Sequence, residues 1–320
     1  MPEGEFEFIA RRLRPLAAGT GAALGLADDA AVLDLPTGQQ LVLTKDAMVA
    51  GVHFLPDDPP GQIAQKLLRV NLSDLAAMGA SPLGYLMAVA CPSGLDETWL
   101  ESFCLGLTAD QAEFGIGLLG GDTVSTPGPI TLSLTAIGSV PAGAALRRNA
   151  AEPGDDLYVS GTLGDGALGL SVLRGELTPG AAASAFLVDR YRRPQPRLDL
   201  GLALRGTAHA AIDVSDGLLA DLGHVLETSE VGAEVVADEL PLSPAGRDLD
   251  GAREAALAGG DDYELLFTAP PGRRAAVETI ARKLALPLTR IGRIEAQAGL
   301  RLRDAQGRPV AVRQAGWRHF

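Results

Sequence analysis

The chain has 320 residues, 47% of them hydrophobic, enough for one large domain or two of medium size, each with its own core. A formal net charge of −13 argues against a nucleic-acid or anionic-membrane surface, but not against an anionic substrate met through metal ions. Cys91 and Cys104 are too few for a disulfide scaffold and are not spaced as a zinc or redox motif; both read as buried thiols in a reducing compartment. The acidic start Met1-Pro2-Glu3-Gly4-Glu5-Phe6 lacks a signal-peptide apolar run, and no segment is long and apolar enough to cross a bilayer. A cytoplasmic location, with neither membrane nor nucleic acid as partner, is the expectation. The only lysines are Lys45, Lys66 and Lys283, so a direct phosphate clamp would draw on arginine.

In chain order, Leu41-Val42-Leu43-Thr44 reads as a strand, and residues 62–78 read as a helix stopped by Gly79 and Ser81-Pro82. The alternation over residues 131–137 predicts a second strand. Glu152-Pro153-Gly154-Asp155 is a strong turn signal, followed by the strand Leu157-Tyr158-Val159-Ser160. A domain boundary just before that turn gives domains at 1–150 and 151–320. The short strand Ala210-Ala211-Ile212 precedes an apolar helix starting at Leu218-Leu219-Ala220, and residues 241–251 read as a loop. Strands mixed with helices in both halves predict an α/β (α+β) fold.

Aspartate falls repeatedly at the ends of these elements, usually beside glycine. The corners are Asp28-Asp29, Thr44-Lys45-Asp46, Ser73-Asp74, Gly120-Gly121-Asp122, Asp213-Val214-Ser215-Asp216-Gly217 and Gly259-Gly260-Asp261-Asp262. Carboxylates gathered in one place repel unless cations sit between them, and oxygen-rich sites suit Mg²⁺ or Ca²⁺. Glycine lets backbone and phosphate approach closely. Taken together, the corners suggest a metal-held polyphosphate site.

Ile63, Leu67, Val70, Asp74 and Ala77 follow helical spacing along one stripe, which puts Asp74 on the inward face. A lone buried carboxylate would cost several kcal/mol or take up a proton. A metal removes that cost; a place at the rim or an arginine partner would also. Ser215 or Asp216 could serve only as a helix N-cap, which accounts for one of the residues in that corner but not three. The glycine-rich turn at residues 161–166 could cradle phosphate, although such turns are frequent. The chain has no P-loop, no calcium loop and no histidine partner for Ser160 or Ser215.

In this order the motifs closely resemble the thiamine-monophosphate kinase family, within the group that includes aminoimidazole ribonucleotide synthetase and selenophosphate synthetase. The matching segments are Gly4-Glu5-Phe6, Asp28-Asp29-Ala30-Ala31-Val32, residues 49–54 around His53, residues 71–80, Gly120-Gly121-Asp122-Thr123, residues 212–218, residues 259–266 and the final Gly316-Trp317-Arg318-His319-Phe320. The resemblance implies two α/β domains of the aminoimidazole ribonucleotide synthetase-like fold, with the N-terminal sheet pairing across a homodimer and ATP and Mg²⁺ at the domain interface. It implies metal ligation by Asp29, Thr44, Asp46, Asp74, Asp122, Asp213 and Asp216. ATP contacts would come from Gly121, Asp122, Arg148 and Ser215. Thiamine monophosphate would be met by His53, Asp261 and Trp317, with Phe320 a further candidate. Two positions depart from the family. Lys45 stands where a hydroxyl residue is usual, and Asp261 where glutamate is frequent.

The acceptor implied by the resemblance is itself a phosphate, already anionic, and needs neither a strong base nor a protein nucleophile. Several Mg²⁺ ions bridged by aspartates would bring the two polyanions together for in-line γ-phosphoryl transfer. The alternatives are a sibling ATP-dependent synthetase and a non-catalytic metal- or nucleotide-binding module. A selenophosphate synthetase would carry a reactive cysteine near its N-terminus, whereas the first cysteine here is Cys91.

Overall fold

The computed structural model of the protein describes residues 9–27 and 30–311. The chain divides into two compact units. The change from first to second falls at Gly143/Ala144, with the short piece Ala76–Gly79 counted with the second.

Among the described residues of the first unit, strands β1 (Gln39–Val49), β2 (Ser81–Pro92), β3 (Leu118–Thr126) and β4 (Thr131–Pro141) form a four-stranded sheet in the order β1-β4-β2-β3. β4 is antiparallel to both β1 and β2, whereas β2 and β3 run parallel. Parallel neighbours need a crossover, supplied by helix α2 (Glu97–Phe114). Its first turn is capped by Asp96, which accepts from the Thr98 N–H at 3.0 Å, and it ends at Gly115 with φ +64°. The predicted stop at Ser81-Pro82 is the start of β2, where the ladder shifts register and a missing N–H is tolerated.

Helix α1 (Pro60–Ala77) covers the predicted 62–78 span. It is more enclosed than a single stripe: Leu68, Asn71, Leu72, Ser73 and Leu75 are buried as well as Ile63, Leu67 and Val70. Asp74 is the half-buried exception in that stretch, so the desolvation cost expected for it is smaller than the stripe implied. The two helices are tied by a buried ion pair. Arg69 donates from Nε to Asp110 Oδ2 at 2.7 Å and from Nη2 to Oδ1 at 2.9 Å, with the Arg69 guanidinium 5.1 Å from the Phe114 ring centre. Gln65 donates to the same carboxylate at 2.7 Å.

The second unit is built on a six-stranded sheet in the order β10-β7-β9-β5-β8-β6. The strands are β5 (Asp156–Ser160), β6 (Ala211–Asp213), β7 (Gly232–Val236), β8 (Leu265–Ala269), β9 (Leu288–Glu295) and β10 (Gly299–Arg303). Side chains alternate across each strand, and here both faces are covered. Leu157, Val159, Ile212 and Leu266 join one core with Leu218, Leu222 and Val225 of helix α6 (Leu218–Ser229). Tyr158, Ala211, Leu265 and Phe267 join the other. That core also takes Leu200 and Leu204 of α5 (Leu198–Leu204) and Val277 of α8 (Arg274–Leu284). The remaining helices are α3 (Asp165–Leu173), α4 (Ala181–Arg192) and α7 (Ala252–Ala258). Residues 241–251 carry turns rather than a regular element, as expected.

Cys91 is buried as expected, whereas Cys104 is only half-buried. Burial pushes both thiols up to about 11, which leaves them protonated at neutral pH.

Removing one partner of a buried ion pair leaves the other charge uncompensated, at about 3–5 kcal/mol. Asp110→Ala should therefore lower stability by up to that amount, since Arg69 Nη2 keeps its bond to Glu113 Oε2 at 2.8 Å, read as a drop in the denaturant midpoint. A loss near the value of a surface pair, about 0–1 kcal/mol, would show that water reaches Arg69 in the variant.

Candidate functional site

The first group of site residues forms where β1 lies against α1. Val42, Thr44, Asp46 and Met48 alternate with exposed Leu41, Leu43, Lys45 and Ala47, so Thr44 and Asp46 share the inner face. The Thr44 hydroxyl donates to Asp74 Oδ2. The backbone N–H of Asp46 donates to Asn71 Oδ1 at 3.2 Å, and Asn71 Nδ2 in turn donates to the Leu67 carbonyl at 2.9 Å. Fully buried Asn71 thus pins the strand to the helix and sets where the Asp46 and Asp74 carboxylates fall. Sequence reading gave Asn71 no role, although it stands three residues before Asp74, close to one helical turn away. Lys45 points the other way, as strand alternation requires, and its Nζ donates to Ser133 Oγ at 2.7 Å.

His53 follows β1 in a turn closed by Gly51, whose N–H donates to the Phe54 carbonyl at 2.8 Å. The ring Nδ1 accepts from the Val49 N–H at 3.1 Å. In the neutral ring that leaves the proton on Nε2. Buried Lys66 fixes the same turn by donating to the His53 carbonyl at 3.2 Å.

Gly121 and Asp122 lie on β3. A Cβ at Gly121 would come within 1.8 Å of the Met87 carbonyl oxygen, so only glycine fits there. Both residues are exposed, and they border a groove of about 520 Å³ between the β2–β3 edge and the chain before β1. Asp122 Oδ1 accepts from the Thr123 N–H at 2.8 Å. The register puts Asp122 in one row with Ala88, Ser133 and Ala47, on the face opposite Asp46. β1 and β3 are also the two edges of the sheet, with β4 and β2 between them, about 14 Å apart at roughly 4.8 Å per strand. Within this sheet Asp122 and Asp46 are therefore not neighbours.

The second group lies at one end of the six-stranded sheet. Asp213 closes β6 and is buried; Ser215 and Asp216 follow in a corner before α6. The backbone of that corner meets the corner before β8, because the Asp261 N–H donates to the Ser215 carbonyl at 2.9 Å and the Tyr263 N–H to the Val214 carbonyl at 2.8 Å. Asp213, Ser215, Asp216 and Asp261 are thus brought together. Asp261 and Tyr263 both hold positive φ, +66° and +51°, which costs of order 1–3 kcal/mol each and persists only when the surroundings enforce it. Arg148, in the single turn Arg148–Ala150, is exposed, and its carbonyl accepts from the Ser229 hydroxyl at 2.9 Å. Asp29 and the tail with Trp317 and Phe320 lie outside the described residues.

Three supports of this second group were not legible in the sequence. Neither Ser215 nor Asp216 caps α6. Buried Asp221, inside its first turn, accepts on Oδ2 from the N–H groups of Ser215, Asp216 and Gly217 at 3.0, 3.0 and 3.2 Å. Burial pushes its carboxyl up to about 7. Asp262 is buried and accepts from the Gly164 and Gly166 N–H groups at 2.7 and 3.2 Å. The glycine-rich turn at 161–166 therefore spends these donors internally and is no phosphate cradle. Glu264, fully buried, is held by Arg190 Nη2 at 2.9 Å, Arg197 Nε at 2.7 Å and the Ser160 hydroxyl at 2.6 Å. Arg190 also donates to the Asp262 carbonyl at 3.1 Å, so one guanidinium fixes the backbone next to Asp261.

All donors in both groups are oxygens, which fits a hard divalent cation. Among the described residues no three His, Cys, Asp or Glu side chains already stand as a metal cluster. The fit to Mg²⁺ rests on donor chemistry: the Thr44 hydroxyl with Asp46 and Asp74, and Asp213 with Asp216.

Comparison with known proteins decides the family. Residues 27–140 match the AIR synthase related protein N-terminal domain, and residues 152–305 the corresponding C-terminal domain. Over 99% of its length the chain is 45% identical to the thiamine-monophosphate kinase of Caulobacter vibrioides, covering 91% of that protein. The chain belongs to the thiamine-monophosphate kinase family. The crystal structure of the Stenotrophomonas maltophilia thiamine-monophosphate kinase superposes with a TM-score of 0.87 at 47% identity, over 96% of this chain and 98% of that one. AaThiL complexed with AMPPCP and TMP gives 0.79 at 31% identity, over 99% of this chain and 97% of that one. The mixed α/β two-domain architecture expected from sequence is the architecture of this family.

Burial raises the Asp262 carboxyl to about 8, above the unfolded value of about 3.9. The folded state therefore holds a proton that the unfolded state has lost, and stability falls as pH rises between those values. Asp262→Asn should flatten this slope of stability against pH. An unchanged slope in chemical denaturation between pH 5 and 8 would show that Asp262 is ionised throughout.

Proposed function

We propose that this protein transfers the γ-phosphoryl group of ATP directly to the phosphate of thiamine monophosphate, giving thiamine diphosphate and ADP. The observation that carries the reading is full-length similarity to a kinase structure whose bound molecules are AMPPCP and TMP, an ATP analogue beside the acceptor. His53, Asp261 and Trp317 are the proposed contacts to thiamine monophosphate, and Gly121, Asp122, Arg148 and Ser215 those to ATP. Asp29, Thr44, Asp46, Asp74, Asp122, Asp213 and Asp216 would hold Mg²⁺. Bound there, Mg²⁺ neutralises charge between donor and acceptor phosphates.

The chain's own residues do the positioning. The Val49 N–H, which donates to His53 Nδ1, fixes the orientation of the ring. Gly121 lets β3 pack directly against the Met87 backbone of β2, which sets where the neighbouring Asp122 falls. The acceptor oxygen is already anionic, so no general base is required. The described nucleophiles fit direct transfer: both thiols are held protonated, and the Ser160 hydroxyl is committed to Glu264.

A homodimer formed through the first unit's sheet belongs to the same proposal. Both edges of that sheet are open among the described residues, and one face exposes Leu41, Leu43, Leu86 and Val124 at 49%, 63%, 40% and 49%. Such an apolar sheet face suits a partner. A cytoplasmic location is proposed with it; no helix of the described residues is long and apolar enough to cross a membrane.

Incubation with ATP, Mg²⁺ and thiamine monophosphate should yield thiamine diphosphate and ADP in equal amounts. A radiolabelled phosphate trapped covalently on the protein during turnover would sink direct transfer. Asp74→Asn should retain the circular dichroism spectrum and lose roughly 100-fold or more in kcat, since even residues that only orient metal ligands cost 10–100-fold. Wild-type turnover at limiting Mg²⁺ would make Asp74 structural.

Lys45 faces away from Asp46 and is tied to Ser133. Lys45→Thr should therefore leave the Mg²⁺ titration midpoint of the reaction nearly unchanged. A marked shift would show that the lysine reaches the site.

A further inference from the structure

The second unit carries a cavity of about 570 Å³ formed by α8, β5 and β9, and it shares no residue with the candidate site. That volume lies within the roughly 300–1,000 Å³ usual for small-molecule sites. Its wall bears Arg274, Arg282 and Arg290 with Glu278, and Tyr158 and Leu288 add apolar surface. Tyr158 is stacked on Phe267 with ring centres 5.2 Å apart and planes 9° from parallel, which makes a rigid floor.

Buried Asp156 anchors two of the arginines. Arg274 donates from Nε and Nη2 at 2.6 and 2.8 Å, and Arg290 donates through Nη1 at 3.1 Å. One carboxylate cannot use the ten N–H donors of two guanidinium groups. The two side chains remain half-exposed, at 50% and 54%. Counting Arg282 and Glu278, three positive charges face two negative ones around this cavity, in a chain whose net charge is −13. Guanidinium forks match carboxylate and phosphate oxygens bidentately. Forks already held by a buried carboxylate lose less side-chain freedom on binding.

We propose that this cavity binds a small multivalent oxyanion, at a place distinct from the residues assigned to phosphoryl transfer. The anion would sit between the Arg282 guanidinium and the Arg274–Arg290 pair.

Isothermal titration of the full chain, without ATP and without Mg²⁺, tests this with inorganic pyrophosphate and citrate as separate probes. Wild type should bind at least one of them saturably. Arg282→Ala and Arg290→Ala should each weaken that binding tenfold or more, while the kinase rate measured without added anion stays unchanged. Binding of pyrophosphate alone would assign the site to phosphate oxyanions, and of citrate alone to carboxylates. Arg282 donates to the Thr279 hydroxyl of its own helix at 3.2 Å, an exposed contact whose loss leaves the fold intact. No saturable binding of either probe, or unchanged affinity in both variants, would overturn the proposal. Because the titration omits ATP and thiamine monophosphate, its outcome is independent of whether the kinase reading holds.

Discussion

Glu264 has no contact with solvent, and what compensates its charge is also what shapes the end of the second sheet. An isolated carboxylate in that position would be untenable. Arg190 reaches it from α4 and Arg197 from the residue just before α5, and the Ser160 hydroxyl reaches it from the neighbouring strand β5. Arg190 then has a donor left for the Asp262 carbonyl, and the Glu264 carbonyl accepts the Val214 N–H. Two loops distant in sequence are tied to one buried charge. This over-determination is what lets Asp261 and Tyr263 keep left-handed backbone without glycine.

The first unit solves a similar problem with a different balance of forces. α1 is enclosed on most sides, so its polar residues need partners inside the protein. Arg69 finds Asp110 on α2, and Asn71 finds both β1 and its own helix. The first contact fixes the two helices against each other. The second fixes the strand that carries Thr44 and Asp46. Asp74 is left half-buried beside Thr44, where its carboxylate keeps access to water.

Local patterns carried much of this. The alternation in residues 131–137 and the spacing from Ile63 to Ala77 located β4 and α1 to within a few residues, because a strand or helix with one buried face writes its period into the sequence. The acid-glycine corners were legible for the same reason: a chain reversal needs glycine, and its neighbours are visible beside it. Long-range order was not. Nothing near Asp46 says that β1 ends up on the opposite edge of the sheet from Asp122, since strand order depends on pairing across dozens of residues. Arg190 and Glu264 are likewise separated by 74 positions, and an arginine in the charged run Asp189-Arg190-Tyr191-Arg192-Arg193 reads as surface. Asp221 left a faint trace, an acid in the first turn of α6, which the more conspicuous Ser215-Asp216 pair obscured.

The turn at residues 161–166 has the look of an anion receptor, and in a sense it is one. Its Gly164 and Gly166 amides are aimed at acceptor oxygens, but those oxygens belong to the Asp262 carboxyl of the same molecule. The protein thus carries an internal acceptor at this turn and uses it as a pin between two loops. In acid-rich chains a glycine-rich turn can therefore be a socket already plugged by a neighbouring carboxylate. Substituting that one aspartate with a smaller neutral residue would strip the Gly164 and Gly166 amides of their acceptors and loosen the pin between the two loops.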